Sequence, residues 1–69
     1  MVEVFKTNVT RHSQAQGLLT LLRQYFPKSK ANFDLDDCDK ILRIQGDEFC
    51  PIKIAELLKI NGFECYVLD

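Results

Sequence analysis

The sequence predicts a single α+β domain with the element order βαββαβ, and three observations carry that reading. Two stretches, Ala15 to Phe26 and Ile54 to Leu58, place apolar residues at helical spacing. Four shorter stretches place them at the two-residue period of a half-buried strand. The whole chain of 69 residues, 46% hydrophobic and 28% charged, has the composition of one globular domain, residues 1–69, with no linker, repeat or low-complexity segment. A chain this short buries only about 60% of the surface its unfolded form exposes, so one compact core must stabilise it.

The first strand is expected over Val2 to Val9, with Phe5, Thr7 and Val9 on one face and Val4 and Lys6 on the other. Ser13 followed by Gln16 has the pattern of a capping box and predicts a helix from Ser13 to Phe26. Pro27 ends it by disfavouring helical geometry in the residue before. Ala31, Phe33 and Leu35 alternate with Asn32, Asp34 and Asp36 as a second strand, and Asp37-Cys38-Asp39 is the tight connection to a third over Lys40 to Gln45. In that strand Leu42 and Ile44 oppose Ile41, Arg43 and Gln45. Pro51 suits the first position of a second helix, whose stripe is Ile54, Ala55, Leu57 and Leu58, and Asn61-Gly62 stops it through left-handed geometry. Glu64 to Leu68 completes the set. With right-handed crossovers this order gives a ferredoxin-like sandwich, a four-stranded antiparallel sheet of order 4-1-3-2 with both helices on one face.

These residues resemble the heavy-metal-associated domain family, the copper-chaperone-like modules also found at the front of metal-transporting ATPases. Ile54, Leu57, Leu58, Gly62 and Phe63 look like the family's second-helix signature, and Ala31, Phe33, Asp34 and Leu35 like its hairpin. The resemblance implies a soft-metal site, MxCxxC, in the loop between strand one and helix one. Aligned on this chain, the motif's Met falls on Val9 and its two cysteines on Arg11 and Gln14. A guanidinium has no lone pair to give and an amide oxygen is hard, so neither replaces a thiolate toward Cu(I).

Two replacement chemistries follow from the predicted topology. It places the strand-one loop, the hairpin and the junction of helix two with strand four at one end of the sheet, where His12, Cys38 and Cys65 would form a site for Zn(II) or Cu(I) if they met. The plainer reading of Cys65 is a small buried apolar residue, and of Cys38 a turn residue. Alternatively, Arg11, His12 and Gln14 at a helix start form a loop suited to an anion or a partner, against the plainer reading of solvated loop residues. Acylphosphatases share the element order and an arginine in this loop, but their longer glycine-containing motif is not matched.

Other constellations are weaker. Cys50 before Pro51 sits where a helix start favours thiolate, yet no resolving thiol is close in sequence. The acidic run Asp34, Asp36, Asp37 and Asp39 lacks the order and glycine of an EF-hand. The sheet face away from the helices, with Val2, Val4, Ile41 and Arg43 at its centre beside Lys6 and Gln45, is more apolar than a purely solvated face requires. It carries no aromatic residue on its central strands, which disfavours RNA stacking.

A net charge of -1 gives no basis for nucleic-acid or anionic-membrane binding, and no apolar run is long enough to span a bilayer. Three cysteines match neither a disulfide framework nor a CxxC pair, which fits reduced thiols in the cytoplasm. The expected function is a non-enzymatic, metallochaperone-like binding or interaction module without its cysteine site and without a cofactor, meeting another protein or itself through the open sheet face. The alternative is a metal-binding protein using His12, Cys38 and Cys65.

Overall fold

The computed structural model describes residues 1–68. Its elements are β1 (Val2–Thr7), α1 (His12–Tyr25), β2 (Ser29–Asp34), β3 (Ile41–Gly46), α2 (Pro51–Ile60) and β4 (Cys65–Val67). All strand pairs are antiparallel and lie in the order β2-β3-β1-β4, which is the predicted 4-1-3-2 order read from the other edge.

Register fixes the two faces. Phe5 opposes Leu42, and Phe33 opposes Leu42 from the other side, while Ala31 opposes Ile44. These residues lie beneath the helices, where Leu18 and Leu22 of α1 and Ile54 and Leu58 of α2 complete the core. Phe5, Leu42, Ile54 and Leu58 are fully buried. At about 25 cal/mol per Å² of apolar surface removed from water, such side chains supply most of the stability available to so short a chain.

Several boundaries differ from expectation for identifiable reasons. β1 stops at Thr7 because the Thr7 hydroxyl accepts the Val9 N–H at 3.2 Å and turns the chain, although Val9 itself stays fully buried. The N-cap of α1 is Arg11 in extended geometry, two residues ahead of the expected Ser13. Gln14, not Gln16, supplies the cap: its Oε1 accepts the Arg11 N–H at 3.2 Å and the Thr10 N–H at 3.4 Å. The reciprocal half of a capping box is absent, because a guanidinium has no acceptor to offer the third helical N–H. Tyr25, placed on the apolar stripe by spacing, is 65% exposed, while Leu22 before it is buried and Phe26 after it packs against the core.

The end of α2 follows the sequence closely. Gly62 has φ of +91°, its N–H donates to the Lys59 carbonyl at 3.0 Å, and the Phe63 N–H donates to the Leu58 carbonyl at 3.0 Å. This is a Schellman stop, with glycine where an L side chain would be strained.

Candidate functional site

Three connections meet at one end of the sheet, as the topology predicts: residues 8–11 between β1 and α1, residues 35–40 between β2 and β3, and residues 61–64 between α2 and β4. Thr7 and Asn8 tie them together. The Thr7 N–H donates to the Asp39 carbonyl at 3.0 Å and its hydroxyl to the Lys40 carbonyl. Asn8 Oδ1 accepts the Glu64 N–H at 2.8 Å. Sequence reasoning placed Thr7 on the core face and gave it no task. A hydroxyl at an otherwise apolar strand position, next to a loop, was the available signal.

At this junction Arg11 and His12 are exposed at the start of α1, whose first turn carries no acidic residue. Gln14 is half-buried, its oxygen occupied by the two backbone donors of the cap. The loop is therefore built with a fixed cation-bearing end and a side chain committed to helix capping.

The hairpin side is acidic. Among the described residues, Asp37, Cys38 and Asp39 are the group of three metal-capable side chains whose ligand atoms lie within 4.8 Å of one another. Two of the three are engaged: Asp37 Oδ1 accepts the Asp39 N–H at 2.8 Å, and Asp39 pairs with Lys6 at 3.6 Å. The turn is closed by Lys40, which adopts φ of +48° and donates through Nζ to the Leu35 carbonyl at 2.9 Å.

The structure does not bring His12, Cys38 and Cys65 together in such a group. His12 and Cys38 are exposed, whereas Cys65 opposes Thr7 on β4 and is fully buried in the core. Burial pushes the Cys65 thiol up to about 11, the Lys59 cation opposing this with a smaller effect. A proton-retaining, enclosed thiol is a poor metal ligand, because ligation requires the thiolate. Cys50 is exposed at the N-cap of α2, at the far end of the sheet, where the Gly46 N–H donates to the Met1 carbonyl.

The register sets Val2, Val4, Ile41 and Arg43 on the sheet face away from the helices. Val2 opposes Gln45 and Val4 opposes Arg43, with Ile41 one row further along β3. Val4 and Ile41 are half-buried and Val2 is 50% exposed. Sequence reasoning did not include Tyr66, which opposes Lys6 from the edge strand β4 and carries the Lys59 ammonium 5.4 Å from its ring centre.

Among the described residues no helix is long and apolar enough to cross a membrane. No family model matches the sequence, and no curated protein matches it significantly. Among solved structures, the solution structure of the yeast copper transporter domain Ccc2A, determined in its apo and Cu(I)-loaded states, is similar in fold. The TM-score is 0.83 at 18% identity, covering 99% of this chain and 94% of that one. At that identity the likeness is one of fold, and this chain has the ferredoxin-like βαββαβ fold of the heavy-metal-associated domains.

Proposed function

We propose that this chain is a non-enzymatic binding module on a metallochaperone-like scaffold that has exchanged soft-metal carriage for interaction with another protein. The observation that carries the reading is the state of Gln14. In the first turn of α1 it supplies a hard amide oxygen already held by two backbone N–H groups, and the N-cap residue Arg11 is a permanent cation with no lone pair. Of the two thiols near this end, Cys65 is enclosed and holds its proton.

The interaction surface is the open sheet face around Val2, Val4, Ile41 and Arg43, with Arg11 and His12 as a second contact at its end. The compartment is the cytoplasm, in keeping with three free thiols. Competition against a Cu(I) chelator in reducing buffer tests the reading, and no stoichiometric binding is expected. Tight one-to-one binding that disappears in Cys65→Ser would replace this reading with a metal site built on His12, Cys38 and Cys65. R11C/Q14C, which returns both thiols to the loop, is expected to gain Cu(I) binding on the same scaffold.

A further inference from the structure

Among the described residues β2 is an edge strand whose outer backbone groups pair with no other strand, its one neighbour being β3. Such an edge is a template for another strand. On its open face Lys30, Asn32 and Asp34 follow one another at the strand period, and Lys28 and Asp36 flank the strand at the same sequence spacing, all exposed. Two cations, a neutral amide and two anions therefore form a row whose charges invert about Asn32. Among the described residues none of these four charges is in an ion pair, the single pair being Lys6 with Asp39.

We propose that this edge pairs with the same edge of a second copy, antiparallel, about a two-fold axis at Asn32. In that register Lys30 faces the partner's Asp34 and Asp34 faces the partner's Lys30, with Lys28 and the partner's Asp36 continuing the pattern beyond the strand. Asp34 spends only Oδ1 on the Asp36 N–H, at 3.2 Å, so its second oxygen remains for the cross-strand lysine. Parallel in-register pairing sets like charge on like, and a two-residue slip in either direction breaks the Lys30–Asp34 match. Each slipped register keeps two opposite-charge pairs against four in the unslipped one, so the charges oppose the parallel arrangement and favour the unslipped antiparallel register.

The other face agrees. Directly opposite pairs there join Ala31 to the partner's Phe33, and beside Ala31 lies a cleft of about 360 Å³ between α1 and β2, floored by Leu19, Leu22 and Ile44. A small residue opposite a large one lets the partner's Phe33 lean toward that cleft. The result is a continuous eight-stranded sheet whose open face doubles in area, an isologous contact of the commonest symmetry. An edge pairing with one aromatic per side is smaller than a standard interface, so association in the micromolar to millimolar range is expected.

Sedimentation equilibrium over that concentration range tests the proposal, with the circular dichroism spectrum as a control for folding. Wild type should dimerise, less strongly at high salt. K30D and D34K each set like charges at two symmetry-related pairs and should each weaken self-association about tenfold or more. Mixed together, K30D and D34K restore opposite charges at every pair and should associate with each other more tightly than either does with itself. Wild type that stays monomeric throughout overturns the proposal. So does a dimer that survives D34K unchanged, or a mixture that associates no better than its components.

Discussion

Thr7→Val removes one hydroxyl and leaves the side-chain shape almost unchanged, which isolates the polar tie at the three-loop junction. Thr7 is 5% exposed, and its Oγ1 both donates to the Lys40 carbonyl and accepts the Val9 N–H. The substitution leaves one acceptor and one donor without partners. A buried polar group left unsatisfied costs about 1–3 kcal/mol, and the Lys40 side of the junction is only half-buried. The expected loss is about 2–4 kcal/mol from a domain whose total stability is of order 3–10 kcal/mol. With a urea dependence of about 1 kcal/mol per molar for so small a protein, the unfolding midpoint should fall by about 2 M or more. Thr7→Ser keeps the hydroxyl and loses one methyl, at about 1 kcal/mol. Urea unfolding followed by circular dichroism orders the three proteins as wild type, Thr7→Ser, Thr7→Val. If Thr7→Val is as stable as wild type, or Thr7→Ser is the more damaged, the hydroxyl does not hold the junction.

Cys65 gives stability a pH dependence whose sign follows from its raised folded value. Below the ordinary value of 9.0 the thiol is protonated whether the chain is folded or not; between there and about 11 only the unfolded chain releases its proton. Stability therefore falls as pH rises through that window, by up to about 3 kcal/mol, and urea titrations of Cys65→Ala should lack this component while showing a constant offset. Gln14→Ala removes the acceptor that caps α1 and should lower the melting temperature by about 3–6 °C. Gln14→Glu keeps the acceptor, adds negative charge at a helix start, and should match or exceed wild type.

The order of elements was legible in the sequence because each strand and helix keeps its own period, and Pro27, Pro51 and Gly62 mark boundaries that the backbone obeys. The strand order followed as well, since handed crossovers leave few alternatives. The start of α1 was not legible. Ser13 and Gln16 satisfy the capping pattern as spelled, but the chain leaves β1 at Thr7, which brings Gln14 within reach of the Arg11 N–H instead. At the candidate site, topology correctly gathered three loops, whereas the joint placement of His12, Cys38 and Cys65 depended on side-chain direction. Cys65 alternates into the core opposite Thr7 while His12 stays in water, a distinction that loop proximity cannot supply. The charge inversion along β2 was visible residue by residue, but gained meaning only once that strand proved to be an edge.

β1 lies inside the sheet, hydrogen-bonded on one side to β3 and on the other to β4. Both of its neighbours come later in the chain, β3 after two intervening elements and β4 after four, so β1 gains its second flank only when the fold closes. Its pairing waits on two long loop closures, a topology that favours slow, all-or-none folding over a stable partial sheet. A chain interrupted before Glu64 would hold Phe5 and Thr7 in a strand with one bare side and would lose the anchor that Glu64 gives Asn8. β4 and the residue before it are thus the closing half of β1's support.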